Sequence, residues 1–239
     1  MKIDAKPHLE PILMLVPYFA PQTHAAMFRA HKLAKYLPQL GYRPVVVTAD
    51  INYLYNENPG LLDELPHDVQ VHRARHIEPT IRGLRMALGG RNRTFAALKR
   101  TGALGEPQAA QSAAPHVSKP GRSLSAEVVR VLGEWPDRYW TWSLDALRVC
   151  RRLIKEQNIR LLYTSAVPVS PLATAMSLQR EFGMKWVADF RDPVGYGKKH
   201  SAKGMIASAI ERKILTGAMD RADKVTGLAD SYGNIFFDL

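Results

Sequence analysis

One stretch decides the fold: residues 159–193 read IRLLYTSAVPVSPLATAMSLQREFGMKWVADFRDP. A short apolar run stands at each end, and a helical pattern lies between them. Near-continuous apolar runs are typical of strands that are buried on both faces of a parallel sheet. Ser170 is predicted to cap the helix because Pro171 follows it, and Gly183 is predicted to end it. The stretch therefore predicts a strand–helix–strand unit.

The same alternation extends along the rest of the chain. In the first helix pattern, Pro38 is predicted to disturb the last turn and Gly41 to end the helix. A strand–helix succession requires a parallel sheet with helices on both faces, so the predicted fold is α/β with a Rossmann-like doubly wound sheet. The predicted strands are 11–16, 43–49, 68–73, 159–165, 185–190 and 224–229. The predicted apolar face of the first helix holds Ala26, Ala30, Leu33, Leu37 and Leu40.

Composition narrows the classes of protein. With 239 residues, 46% hydrophobic and 23% charged, the chain is too apolar for wholesale disorder. The single cysteine, Cys150, excludes an internal disulfide and a cysteine-based zinc site. The first apolar run is too short for a signal peptide or a membrane span, so the expected location is cytoplasmic. The net charge of +11 predicts attraction to phosphate-bearing or anionic partners.

Residues 72–126 interrupt the α/β pattern and are predicted to be an insertion in a single domain that covers residues 1–239. Residues 72–104 carry eight Lys or Arg against one acid, and residues 104–126 are rich in Ala, Ser, Pro and Gln. The Ala/Ser/Pro/Gln-rich segment is predicted to be disordered. The basic segment has two possible interpretations: it lies on an anionic membrane surface at the inner face, or it is a solvated loop.

In an open α/β sheet, ligands bind beyond the carboxyl ends of the strands. The loop after the first strand contains no glycine, which disfavours a tightly bound dinucleotide such as NAD or FAD. Its candidate ligand-binding residues, for hydroxyls or phosphate, are Thr23, His24 and Arg29. The alternative is that Thr23 only caps the helix and that Arg29 lies in solvent.

Two other strand ends carry polar residues. Ser165 and Ser170 precede a helix N-terminus that could receive an anion, the alternative being a plain capped turn. Asp189 lies at the end of the next predicted strand, and Arg191 and Asp192 follow it. A carboxylate there could take a proton or hold sugar hydroxyls, and Arg191 could neutralise a phosphate. The alternative for this cluster is a local Asp–Arg ion pair that shapes the turn.

Aromatic and histidine side chains give weaker signals. The aromatic cluster could stack on a sugar or bury a loop against the core, and the second use is commoner. No histidine pair has metal-ligand spacing along a helix, because His72 and His76 follow a strand, so no metal is expected. The cluster consists of Trp135, Tyr139, Trp140 and Trp142.

Four stretches resemble, in order, the N-terminal, acceptor-side domain of bacterial glycosyltransferase family 4. They are VPYFAP with RAHKLAKYLPQLGYRPVVVTAD (16–21 and 29–50), PDRYWTWSLDAL (136–147), the stretch LLYTS to DFRDP (161–193) and IERKILTGAMDRADKVTGLADS (210–231). The resemblance implies a GT-B fold and retaining transfer of a sugar from a nucleotide-sugar donor to a cell-surface polysaccharide or lipid-linked acceptor, without a metal or another cofactor. It assigns catalysis to Asp192 and Arg191. The predicted substrate-binding residues are Thr23, His24, Arg29, Ser165, Ser170 and Asp189.

The chain departs from that family in three places. Gln22-Thr23-His24-Ala25-Ala26 stands where paired glycines are usual, and Val194 stands where tryptophan is common. The sequence ends at SYGNIFFDL, without the domain that would bind the nucleotide sugar, so this chain alone is expected to be inactive. The alternative function is a basic module without catalysis that binds a membrane surface or nucleic acid, although no nucleic-acid partner is expected.

Overall fold

The computed structural model describes residues 9–50, 57–77, 137–166, 168–191 and 205–227. Three features of the sequence analysis lie outside these residues. They are Asp192 with the loop behind it, Trp135, and residues 78–126 of the predicted insertion. Residues 72–74, where the basic stretch begins, belong to a strand.

Six parallel strands form one sheet in the order β3-β2-β1-β4-β5-β6. The chain runs outward from β1 to β3 and then crosses to β4 on the other side of β1, which is the order of a Rossmann-like doubly wound sheet. The predicted fold class is confirmed. The strands are β1 Glu10–Leu15, β2 Tyr42–Ala49, β3 Gln70–Ala74, β4 Leu161–Ser165, β5 Lys185–Phe190 and β6 Lys224–Gly227.

Helices connect the strands in the described residues. They are α1 Met27–Tyr36, continued by a 3-10 helix Leu37–Leu40, then α2 Gly60–Asp63, α3 Trp140–Gln157, α4 Ser170–Phe182 and α5 Met205–Arg221. Because all six strands are parallel, their carboxyl ends lie at one edge of the sheet. We call this the carboxyl edge.

The hydrophobic core lies on both faces of the sheet, because successive strand residues point to opposite sides. Met14 and Val46 pack with α1 and α2 on one face, while Leu13 and Val45 pack with α3, α4 and α5 on the other. Trp186 is fully buried on the second face, where its indole N–H donates to Thr164 Oγ1 at 2.9 Å. This two-sided burial explains why the strands read as continuous apolar runs.

The apolar face predicted for the first helix is wrong at its end. Leu40 is 72% exposed, whereas Ala30 is buried. The cause is Pro38, because the last turn tightens from α-helix into the 3-10 helix Leu37–Leu40. Each residue of a 3-10 helix rotates by a different angle from a residue of an α-helix, so Leu40 no longer lies on the apolar face.

Three helical segments in the described residues end in a residue with left-handed backbone conformation. Gly41, at φ +88°, follows the 3-10 helix, Asn158, at φ +48°, follows α3, and Gly183, at φ +62°, follows α4. The sequence predicted both glycines, because glycine adopts this conformation without a steric penalty from Cβ.

The substitution Gly183→Ala should lower the free energy of unfolding by about 1 kcal/mol, because an alanine Cβ is strained at positive φ. Urea denaturation monitored by circular dichroism measures the loss. Asn158→Gly is the matched control, since it relieves the same conformation and should not destabilise the protein. Equal stability of Gly183→Ala and the parent would contradict the assignment.

Candidate functional site

The candidate site lies at the carboxyl edge where β1 and β4 are neighbours. The chain leaves β1 toward β2 on one side and returns to β4 on the other, and such a switch point is where open α/β sheets bind ligands. The loop after β1, residues 16–26, and Arg191 after β5 both belong to this edge.

A buried carboxylate, Asp189, forms the floor of the site. Its Oδ1 accepts a hydrogen bond from Thr226 Oγ1 at 2.7 Å and pairs with Arg29 Nη2 at 2.8 Å. Its Oδ2 accepts a hydrogen bond from the Tyr163 hydroxyl at 2.7 Å. Only 1% of Asp189 is exposed, so these three donors take the place of water around the charge. Asp189 thus joins α1, β4 and β6 to its own strand, β5.

Tyr163 takes part in this cluster as a neutral donor. Burial raises the pKa of its hydroxyl well above the usual range, and the neighbouring Asp189 carboxylate raises it further. Neither Tyr163 nor Thr226 could be picked out from the sequence, because each stands within an otherwise ordinary strand pattern. The alternative role expected for Asp189 was a local ion pair with a neighbouring arginine. Asp189 does form an ion pair, but with the distant Arg29 on α1.

Arg29 connects this floor to the surface. It lies in the first turn of α1, and its side chain remains 32% exposed although one guanidinium nitrogen contacts Asp189. A guanidinium has five N–H donors in a planar fork, so a second acceptor can bind while the ion pair stays in place. The alternative that Arg29 lies only in solvent is therefore wrong.

His24 lies on the loop after β1, and its pKa responds to the charge of Arg191 after β5. Burial lowers the pKa of His24, and the positive charge of Arg191 lowers it further. Nδ1 of His24 accepts a hydrogen bond from the Ala26 backbone N–H at 3.1 Å, so the neutral ring carries its proton on Nε2. The ring stacks on Tyr18 with centroids 4.4 Å apart.

Thr23 is exposed and does not cap α1. The residue before the helix is Ala26, and no side-chain hydrogen bond caps that end. The alternative role considered for Thr23 is therefore excluded.

The N-terminus of α4 is already occupied by a carboxylate. Asp137 accepts hydrogen bonds from the Ser170 backbone N–H at 2.7 Å and from Ser170 Oγ at 2.8 Å. Tyr139 N–H donates to the same carboxylate at 2.7 Å. Ser170 is 2% exposed and is the first helical residue, so the prediction that it caps the helix is wrong; Val169 holds the N-cap position.

Ser170 and Ser165 therefore differ in what they can reach. Both polar groups of Ser170 are used by Asp137, which leaves the helix end closed to an outside anion. Ser165 ends β4 in register with Asp189 and is half-buried at the carboxyl edge. Of the two serines, Ser165 is the one placed beside the Asp189 cluster.

The described aromatic residues near α3 mainly pack the interior. Tyr139 and Trp142 are buried, and their rings meet edge to face at 6.4 Å. Tyr139 also stacks on His76 at 4.7 Å and meets Tyr18 at 5.1 Å. A row of rings thus runs from His76 to the loop that carries His24.

Arg73 fixes the same loop from the edge strand β3. Its Nη2 donates to the Ala20 carbonyl oxygen at 2.6 Å, and its Nη1 donates to the Ala49 carbonyl oxygen at 3.4 Å. Sequence analysis counted Arg73 only as a member of the basic stretch. Here it ties the loop after β1 to the end of β2.

Among the residues that the structure describes, no helix is long and apolar enough to cross a membrane. The same described residues contain no cluster of three or more His, Cys, Asp or Glu side chains that could hold a metal ion.

Comparisons with known proteins give distant matches of fold. No protein-family model and no curated protein matches the chain. The structure of Phytolacca americana UGT2 complexed with UDP-2fluoro-glucose and pterostilbene is 14% identical with a TM-score of 0.41, over 77% of this chain and 31% of that chain. A UDP-galactose 4-epimerase is 10% identical with a TM-score of 0.31, over 74% of this chain and 55% of that one. The chain thus spans about a third of the first protein and about half of the second.

Asp137→Ala should lower the free energy of unfolding by about 1–2 kcal/mol, because it leaves the donors of Ser170 and Tyr139 without their acceptor. Chemical denaturation of the variant measures the loss. Asp63→Ala removes an exposed carboxylate from α2 and is expected to have little effect. A stability for Asp137→Ala equal to that of this control would contradict the capping role.

Protonation of His76 should destabilise the fold. Burial, and then the charge of Arg138, lowers the pKa of His76 to about 4, with Asp50 acting weakly in the other direction. In the unfolded chain a histidine titrates near pH 6.5. The unfolded state therefore binds more protons between these pH values, and stability falls as the pH falls from about 7 toward about 4.

His76→Phe keeps a ring against Tyr139 and removes the titration. The loss of unfolding free energy between pH 7 and pH 4.5 should shrink by about 1–2 kcal/mol in this variant. His24 and His72, whose pKa values burial also lowers, account for some of the pH dependence that remains. Parallel pH profiles for the variant and the parent would refute the assignment.

Proposed function

We propose that this chain is the acceptor-side domain of a GT-B glycosyltransferase of the family 4 kind. In this proposal it binds a cell-surface polysaccharide precursor or a lipid-linked acceptor, and a donor domain supplies the nucleotide sugar. Transfer retains the anomeric configuration and needs no metal. The acceptor is met at the cytoplasmic face of the membrane.

The observation that carries the proposal is the Arg29–Asp189 ion pair. It joins the first turn of α1, just behind the loop after β1, to Asp189 at the end of β5, where the DFRD segment begins. The family resemblance places that loop and that segment in the acceptor cleft. The charge of Arg191 also lowers the pKa of His24, which supports the same arrangement. A doubly wound sheet alone is compatible with many activities, so the proposal depends on these side chains.

The chemistry of the site fits binding and orientation of an acceptor. Asp189 is surrounded by three donors and is therefore poorly placed to act as a base. Neutral His24 can donate from Nε2 to a sugar hydroxyl, and Arg191 can stabilise negative charge on a phosphate. Asp192, to which the resemblance assigns catalysis together with Arg191, lies outside the described residues.

The competing functions have less support. A dinucleotide-dependent enzyme is disfavoured by the glycine-free loop after β1. The basic stretch that would carry nucleic-acid or membrane binding lies mostly outside the described residues, and Arg73 at its start is engaged with backbone carbonyls.

Deletion of the gene in its own cell tests the proposal. We expect loss of one extractable glycan and accumulation of the shorter acceptor, seen by mass spectrometry of lipid-linked and surface glycans. Complementation with Arg191→Gln should restore less than a tenth of the product, since a charge-assisted contact contributes about 1.5–3 kcal/mol. Arg148→Gln, which removes the same charge from a side chain 84% exposed on α3, should restore it fully.

An unchanged glycan profile in the deletion strain would overturn the proposal. So would equal complementation by Arg191→Gln and the parent. Retention of labelled nucleic acid by the purified chain, together with an unchanged glycan profile, would favour the basic binding module instead.

A further inference from the structure

We propose that Tyr18 is a positioning residue for His24, and that its ring fixes the orientation of the His24 imidazole at the carboxyl edge. The inference rests on the proposed function only for the part that His24 takes in binding an acceptor. The placement of the imidazole ring follows from contacts within the chain and is tested without a substrate.

The rings of Tyr18 and His24 lie flat against each other. Their centroids are 4.4 Å apart, and the ring planes differ by 11°. Thr23 and Ala25, on either side of His24, are exposed, whereas His24 itself is half-buried. The imidazole therefore turns back from an exposed stretch of chain onto the phenol ring. A stacked pair has a defined geometry, so the contact sets the plane of the ring as well as its place.

Tyr18 is itself supported by buried side chains. It packs against both parts of the hydrophobic core, the part under α1 and α2 and the part under α3, α4 and α5. Tyr139 meets the ring of Tyr18 edge to face, with centroids 5.1 Å apart and planes at 70°. Tyr139 is 1% exposed and stacks on His76 at 4.7 Å. The surface on which His24 lies is thus held from the interior.

The backbone on both sides of Tyr18 is also held. The Pro17 carbonyl oxygen accepts a hydrogen bond from the Ala49 backbone N–H at 3.4 Å. The Ala20 carbonyl oxygen accepts one from Arg73 Nη2 at 2.6 Å. These bonds tie this part of the loop to β2 and β3, so the sheet sets the direction in which the Tyr18 side chain leaves the backbone.

A hydrogen bond of His24 depends on the orientation that Tyr18 sets. His24 Nδ1 accepts the Ala26 backbone N–H at 3.1 Å. The Nδ1 lone pair lies in the plane of the imidazole ring, and a hydrogen bond weakens steeply when it is misaligned. Rotation of the ring away from Tyr18 therefore breaks this bond. The Ala26 amide reports whether the ring is in place.

A ring that is held before the ligand arrives is preorganised for binding. A side chain already in its bound orientation loses less conformational entropy when the complex forms. Tyr18 contributes to binding in this way through His24, which is the residue that the proposed function places against the acceptor.

The test measures hydrogen exchange of the Ala26 amide and the pKa of His24 by NMR on the full 239-residue chain. In Tyr18→Leu, which removes the ring, the Ala26 amide should exchange about tenfold faster, because its acceptor is no longer held. The pKa of His24 should rise toward the ordinary value of about 6.5, because burial is the main cause that lowers it.

Two variants serve as controls. Tyr18→Phe keeps the ring and should match the parent in both measurements. Tyr36→Leu makes the same change at a tyrosine on α1 that is 49% exposed, and it should also match the parent. Far-ultraviolet circular dichroism and the unfolding midpoint establish that each variant is folded. The amide of Ala30, within α1, shows how much of any change in exchange comes from general destabilisation.

Unchanged Ala26 exchange and an unchanged His24 pKa in folded Tyr18→Leu would overturn the proposal. Equal changes in Tyr18→Phe would overturn it as well, because they would assign the effect to the hydroxyl group. In the parent chain, nuclear Overhauser effects are expected between the rings of Tyr18 and His24. Their absence would refute the stacked contact whether or not Tyr18→Leu folds.

Complementation of the deletion strain separates this inference from the proposed function. Tyr18→Leu should restore less product than Tyr18→Phe. If Tyr18→Leu releases His24 in the NMR measurements and still restores the glycan fully, while Arg191→Gln does not, the role of Tyr18 in binding is wrong and the glycosyltransferase proposal stands. If deletion leaves every glycan unchanged, the proposed function is wrong, and the Ala26 amide still decides whether Tyr18 holds His24.

Discussion

The Asp189 carboxylate imposes the constraint on which the carboxyl edge depends. A buried charge must be paired and hydrogen-bonded, because removing one partner of a buried pair costs about 3–5 kcal/mol. Here the partners come from β4, β6 and α1, so one side chain fixes two strands and a helix relative to β5. The start of α1 is thereby held against the sheet. The loop after β1 leads into α1, so the same contacts fix the end of that loop.

Asp137 holds the start of α4 in place, as Asp189 holds the start of α1. It fills the helix N-terminus from inside the protein, and it anchors Tyr139, whose ring packs between His76 and Tyr18. An internal carboxylate satisfies the same N–H groups that an external anion would use. Asp137 and Asp189 thus both accept hydrogen bonds from donors of the protein itself.

The sequence predicted what depends on local pattern and missed what depends on distant partners. Strands were found because burial on both faces leaves continuous apolar runs, and Gly183 was found because positive φ selects glycine. Leu40 was wrongly assigned to the apolar face of the first helix, because the number of residues per turn changes at Pro38. Neither the donors of Asp189 nor the acceptor of Ser170 could be predicted, since those partners are 26 to 160 residues away and only the sheet order brings them together.

The loop after β1 contains no glycine in residues 16–26. A glycine-rich turn binds phosphate through backbone N–H groups, because the missing Cβ lets the ligand approach closely. Gln22-Thr23-His24-Ala25-Ala26 contains no glycine to allow that approach, and Arg73 holds the preceding part of the loop through the Ala20 carbonyl oxygen. Arg29, with one nitrogen on Asp189 and about a third of its side chain exposed, is a long side chain that extends from the buried floor to the surface of this edge.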